Sequence, residues 1–284
     1  MNTILVPIDF SKNSNNALNY AIEIAKNGNS KIVLLHAFHI IIGTIENVGQ
    51  TTRNIQDVMK KQTDKKLKDL CFEIIKSKKM NCEFISKVDL AVDAILETID
   101  DIKADLVVMG TKGASGIKEV LIGSNTATVI EKAKCPVIAV PEGAKFDGIK
   151  KITYATDYHE SDIDALKNLV EIAKPFNAQI STLHASDEEF TPYNEKVYLN
   201  TFKNKVQKKI KYKKISYKLA YGKYLGKVLD EHIKKESPDL LVMSTRHRNM
   251  FDKIFGSSVT KRMAYHTKIP LLVFHHKQDA TIFI

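Results

Sequence analysis

The feature that most constrains this chain is that its pattern is written twice. ILVPIDFS at Ile4 to Ser11 lines up with ITYATDYH at Ile152 to His159, and LLHAF at Leu34 to Phe38 with TLHAS at Thr182 to Ser186, both at an offset of 148. ADLVVMGTKG at Ala104 to Gly113 lines up with PDLLVMSTRH at Pro238 to His247 at an offset of 134. The chain is therefore a duplicated unit. The shorter offset places the missing residues between the second and fourth strands, where connections tolerate length change. At 284 residues, each copy has the length of an ordinary domain with a substantial core. The expected domains are residues 1–143 and 150–284, joined across PEGAKFDGIK at Pro141 to Lys150, which is short, polar and glycine-containing.

Within the first copy, strands alternate with helices. Thr3 to Ile8 reads as a strand, and Ser11 is a good N-cap for a helix carrying Ala17, Leu18, Ala21, Ile22 and Ala25 at helical spacing. Gly28 stops that run. A strand over Lys31 to Ala37 precedes a connection of mixed character, Phe38 to Thr52, which suits a lid or an interface. A polar helix over about Asn54 to Ser77, a strand Cys82 to Val88 and a helix Val92 to Ile99 follow. The apolar run Leu106 to Met109, a glycine-containing loop, a helix and a last strand Pro136 to Val140 complete the unit. This alternation predicts an α/β fold with right-handed crossovers and a parallel sheet covered on both faces.

The chemistry concentrates in DLVVMGTKGASGIKEVLIGSNTATVIEKAKCPVIAVP, Asp105 to Pro141. Gly110 ends a buried strand, and Gly113 and Gly123 precede Ser124 and a helix. Glycine at a strand-to-loop junction lets backbone approach a ligand, and a helix start presents unpaired N–H groups and the positive end of its dipole. An anion is the natural occupant. On spacing alone a phosphate loop and a plain turn are equally good readings, because neither GxGxxG nor a P-loop lysine is present.

Gly110-x2-Gly113-x9-Gly123-Ser124 resembles the G-x2-G-x9-G-[S/T] signature of the ATP-binding branch of the universal stress protein family. TILVPIDFS at Thr3 to Ser11 resembles that family's first strand, its terminal aspartate and the following helix start. The resemblance covers nearly the whole chain. It implies two Rossmann-like domains of the adenine nucleotide alpha hydrolase-like type, each with five parallel strands in the order 3-2-1-4-5. It also implies an internal pseudo-dimer pairing Pro136 to Val140 with Pro270 to Phe274, which would hide two sheet edges, and a possible route to homodimers. By resemblance, ATP would contact Pro7, Ile8, Asp9, Ala37, Met109, Gly110, Gly113, Gly123, Ser124, Asn125 and Thr126. Its triphosphate would bring Mg²⁺, shared with phosphate oxygens and water.

Each residue also has a structural reading. Asp9 would hold the adenine side of the nucleotide or organise the turn before the helix, and Asp157 favours the structural role. Ala37 would line the adenine pocket or fill the core. His36 and His184, at equivalent strand ends without cysteine or carboxylate companions in sequence, read as hydrogen-bonded structural residues. His275 and His276 are adjacent, so in a strand they face opposite sides and do not suit a metal. Lys112 and Lys118 could neutralise phosphate, although solvent exposure is their default.

In the second copy Gly110 becomes Ser244, Gly113 becomes His247, and Gly123-Ser124 becomes Ser257-Ser258. The added side chains are expected to obstruct the backbone cradle, leaving ATP binding there weak or absent.

Composition bounds the function classes. With 44% apolar and 27% charged residues, the chain reads as globular, and no apolar run approaches the roughly 18 residues of a membrane helix. Cys71, Cys82 and Cys135 are an odd set without CxxC spacing, which suits a reducing cytoplasm and neither a disulfide framework nor a zinc site. Cys135, directly before Pro136, is expected to be buried and inert. The net charge of +10 is largely lysine, densest over Lys196 to Lys218. Leu199, Phe202, Val206 and Ile210 recur there at helical spacing, so the lysines read as a solvated helix face rather than a nucleic-acid surface.

No GxSxG elbow, HExxH pair, Walker lysine or SGGxDS pyrophosphatase loop occurs, so no catalytic residues are assigned. The expected function is ATP binding in stress response or signalling, without catalysis. The alternatives are a nucleotide-independent interaction module, using Phe38 to Thr52 and the lysine-rich helix, and a slow ATPase. The tail HHKQDATIFI fits no pattern.

Overall fold

A computed structural model describes residues 1–39, 49–112, 122–186, 192–222, 225–245 and 269–275. The chain divides into two compact units, Met1–Glu142 and Gly143–Ile284. The first contains β1 (Thr3–Pro7), α1 (Lys12–Gly28), β2 (Lys31–Phe38), α2 (Gly49–Lys78), β3 (Cys82–Val88), α3 (Ala91–Ile102), β4 (Leu106–Gly110), α4 (Ser124–Lys132) and β5 (Val137–Val140). β1 lies between β2 and β4, β3 flanks β2 and β5 flanks β4, all parallel, giving the order 3-2-1-4-5.

The second unit contains β6 (Lys151–Ala155), α5 (Ser161–Ala173), a 3-10 turn (Lys174–Phe176), β7 (Gln179–Ser186), α6 (Pro192–Lys209), β8 (Ile215–Tyr221), α7 (Leu225–Glu236), β9 (Leu240–Thr245) and β10 (Leu271–His275). Its parallel pairings give β8-β7-β6-β9-β10, the same order. Both sheets have the expected α/β architecture.

Burial explains the sequence pattern. Ile4, Leu5, Val6, Leu106, Val107 and Val108 are all fully buried, as central parallel strands covered on both faces require. On α1, Ala17, Leu18, Ala21, Ile22 and Ala25 form the buried stripe. Each unit fastens the start of its first strand in the same way. Asp105 Oδ2 accepts from the backbone N–H groups of Asn2 (2.6 Å) and Thr3 (3.0 Å), and Asp239 Oδ2 from those of Lys150 (2.7 Å) and Lys151 (2.8 Å).

Several boundaries depart from the sequence reading. β1 stops at Pro7 rather than Ile8, and the left-handed cap of α1 is Asn29 (φ 51°), with Gly28 inside the helix. α2 begins at Gly49, inside the expected connection Phe38 to Thr52, while residues 40–48 lie outside the described residues. The length difference between copies also becomes more local. Ile32 pairs with Cys82 and Ile180 with Ile215, so the third strands are offset by 133 (215 − 82 = 133). Fifteen residues (148 − 133) are thus lost between the second and third strands, where α2 has 30 residues and α6 has 18. The lysine-rich stretch is part helix and part strand, changing at Lys209 and Ile215. Phe202, Val206 and Ile210 are buried beneath it, Leu199 is half-buried, and exposed Lys205 and Lys209 reach Glu160 at 3.5 and 3.7 Å. That is a solvated helix face.

Candidate functional site

The carboxyl end of β1 turns into α1 through residues that the sequence singled out for a ligand. Ser11 caps α1, its Oγ accepting from the Ser14 N–H at 3.2 Å. Asp9 Oδ1 accepts from the Ser11 N–H at 3.0 Å, and the Asp9 N–H donates to Ser14 Oγ at 3.3 Å. The Asp9 carboxylate therefore organises this turn. Between them Phe10 is left-handed (φ 61°), and its ring lies 5.0 Å from that of His36 on β2. His36 Nδ1 sits 2.6 Å from the Ile8 carbonyl, which can only accept, so this nitrogen carries the proton. Ile8 is buried, while Pro7, Asp9 and Ala37 are half-buried.

Neighbouring β4 brings Met109, buried, and Gly110 to the same edge. A Cβ on Gly110 would stand 3.1 Å from the backbone carbon and oxygen of Asn13, so the close approach of α1 favours glycine here. Gly123 is different. It is the N-cap of α4 with φ −59°, and an added Cβ would meet Thr111 O at 3.4 Å, an ordinary contact. Among the described residues, neither conformation nor packing requires glycine there. Its N–H donates to Thr111 O at 2.6 Å, and no described side chain caps α4. Ser124 and Asn125 are exposed in the first turn, whereas Thr126 is buried with Oγ donating to Gly110 O at 2.8 Å. The Thr126 hydroxyl thus braces the strand-to-helix junction. Gly113 and Lys118 lie outside the described residues, as do residues 246–268 of the second unit.

The second unit keeps the frame and changes its contents. Tyr158 is left-handed (φ 59°) like Phe10, and its ring lies 4.7 Å from His184. His184 Nδ1 donates to Thr156 O at 2.8 Å, repeating the His36 bond, and Nε2 faces Glu195 Oε2 at 3.3 Å. Glu195 also accepts from Ser186 at 2.8 Å. Burial pushes the Tyr158 phenol well above its ordinary pKa, and its hydroxyl donates to Lys218 O at 3.0 Å.

At the position of Ser14 stands Asp162, with no exposed surface. Its carboxylate accepts from Thr156 Oγ1 (2.8 Å), Ser244 Oγ (2.7 Å) and the N–H groups of Asp157 (3.2 Å) and His159 (3.3 Å). Tyr154 OH adds a 3.0 Å bond to Ser244. Ser244 therefore directs its hydroxyl into this buried network.

Sequence reasoning missed Phe10, Ser14, Tyr158 and Asp162 as the residues that build the two turns. The signal was available, since 10 and 158, 14 and 162, and 36 and 184 share the offset of 148. Among the described residues, no three His, Cys, Asp or Glu side chains converge to hold a metal, and no helix is long and apolar enough to cross a membrane.

Two copies of one sheet order, each with a histidine-braced turn after its first strand, match a known pattern. The universal stress protein family profile matches residues 1–141 and again 148–275. The chain belongs to the universal stress protein family. A universal stress protein of Methanocaldococcus jannaschii is 30% identical over 152 residues, spanning 50% of this chain and 83% of that protein. A second from the same organism is 26% identical, spanning 48% and 93%. The crystal structure of a universal stress protein from Archaeoglobus fulgidus shares the tandem fold, with TM-score 0.71, 19% identity, and coverage of 98% of this chain and 97% of that one.

Proposed function

We propose that this universal stress protein binds one ATP, with its Mg²⁺, at the carboxyl edge of the first unit and acts in cytoplasmic stress response or signalling without catalysing a reaction. The observation that carries this reading is the start of α4. Among the described residues neither φ nor packing demands glycine at Gly123, and no described side chain caps the first-turn N–H groups. A phosphate would satisfy those groups and the helix dipole together. Pro7, Ile8, Ala37 and Met109 sit at the ends of three neighbouring strands, where base and ribose would lie, with Asp9 beside them. In the second unit the buried Asp162 carboxylate adds negative charge at the equivalent turn, and Ser244 and His247 replace two of the glycines. ATP binding there is weak or absent.

Calorimetric titration with Mg-ATP tests this reading. One site per chain is expected, with binding lost in Gly123→Val and kept in His247→Ala. Gly123 is the informative position because a Cβ there makes only ordinary contacts with the described residues, whereas one at Gly110 meets the Asn13 backbone at 3.1 Å. Two equivalent tight sites, or no binding by folded protein, would refute the proposal.

A further inference from the structure

Cys71 on α2 and Cys82, the first residue of β3, meet with their sulfurs 2.6 Å apart and unbonded. A disulfide has an S–S length of about 2.04 Å, so closure needs a shift of only about half an ångström. We propose that these two thiols form a reversible disulfide on exposure to a hydroperoxide, fastening α2 to the outer strand of the first unit.

The second unit shows that the fold does not call for cysteine at these places. Cys82 pairs with Ile32 on the neighbouring strand, and in the same register Ile215 pairs with Ile180. An aliphatic residue thus serves at the strand position that Cys82 occupies, and α6 buries Phe202 and Val206 with no cysteine among its residues, so the fold does not require thiols here. The seam is one layer below the surface. Phe72, beside Cys71, is 63% exposed, and Asn81 and Glu83 on either side of Cys82 are exposed.

The pair is also chemically unequal. The hydrogen bond between the two thiols lowers the Cys71 thiol from its ordinary pKa and raises that of Cys82, which favours Cys71 as the nucleophile. Its thiolate attacks one peroxide oxygen, an S–O bond forms as the O–O bond breaks, and hydroxide leaves to become water by taking a proton. The Cys82 sulfur then attacks the Cys71 sulfenic sulfur, the S–S bond forms, and a second water departs with the Cys82 proton. Two electrons pass from the thiols to the peroxide. Cys135 has no such neighbour, and burial pushes its thiol up to about 12.

The test uses the full chain treated with hydrogen peroxide, followed by thiol counting under denaturing conditions and peptide mass mapping. Three thiols should fall to one, with a Cys71–Cys82 cross-linked peptide two hydrogens lighter, and dithiothreitol should restore all three. Cys135→Ser should form the same cross-link, and Cys71→Ser should form none. The double variant Cys71→Val with Cys82→Ile should melt close to the reduced wild type while losing the response to peroxide. Retention of three thiols, oxygen addition at Cys71 without cross-linking, or oxidation of Cys135 as readily as the pair would overturn the proposal.

Discussion

The strand ends at Gly110 and Ser244 descend from one position and solve the same packing problem in opposite ways. In the first unit the chain removes the side chain so that Asn13 can approach, and Ser14 meets the turn with a neutral hydroxyl. In the second it keeps a side chain, Ser244, and gives it a buried partner, Asp162, which also collects two backbone N–H groups and Thr156. Both edges keep an aspartate after the first strand, Asp9 and Asp157, and the second adds the buried carboxyl group of Asp162 where the first has Ser14. The residues around the two positions differ together: Val6, Ile8 and Ser14 in the first unit correspond to Tyr154, Thr156 and Asp162 in the second.

The sharpest way to break this comparison is at the buried carboxylate. Asp162→Ala strands two hydroxyls and two backbone N–H groups, and a loss of about 3 kcal/mol is expected. Ser14→Ala, which removes one weak acceptor, should cost about 1 kcal/mol. Urea unfolding with hydrogen exchange read on β6 and α5 against β1 and α1 measures both, and equal losses would refute the contrast. Exchanging the strand-end residues is the next test. Gly110→Ser forces a Cβ against Asn13 and should destabilise by about 1–3 kcal/mol, as an overpacked site does. Ser244→Gly removes a donor to Asp162 and a partner of Tyr154 and should cost about 1–2 kcal/mol, so that neither unit accepts the other's residue.

The smallest expected effect is a pH dependence confined to the second unit. Lys218 bonds Glu236 at 2.8 Å and holds its carboxyl below the ordinary value. A depressed folded value means that the stabilisation is present above the ordinary carboxylate range and is lost as pH falls through the folded value. The Glu236 side chain is 33% exposed, so the contribution is about 0.5 kcal/mol. The difference in unfolding free energy between wild type and Glu236→Gln should be full near neutral pH and shrink as pH falls below the ordinary carboxylate range.

How far the sequence could be read depends on which physical signal each feature leaves. The parallel α/β sheet followed from the alternation of apolar runs with helical periodicity, its strand order from the family resemblance, and its repetition from the duplication. Ser11 was legible as a cap because its role is local. The role of Gly110 was not, because sequence cannot distinguish a glycine that admits a ligand from one that admits Asn13, whose backbone comes from another element. Asp162 was missed for the same reason, since its four donors come from Thr156, Asp157, His159 and Ser244, the last 82 residues away. The start of α2 was obscured by mixed composition between Phe38 and Thr52, where no cap or clear period marks a boundary.

The aspartate clasps at Asp105 and Asp239 set an order of events during synthesis. The backbone N–H of Asn2 waits for an acceptor 103 residues downstream, and that of Lys150 for one 89 residues downstream. At typical elongation rates the first interval lasts about 5–20 s, during which β2 can pair with β1 but the Asn2 and Thr3 N–H groups lack this acceptor. Each unit fastens its own first strand with its own carboxylate, so the first can close this clasp before the fourth strand of the second has been made. Duplication has thus given the ribosome two closures in series in place of one long one.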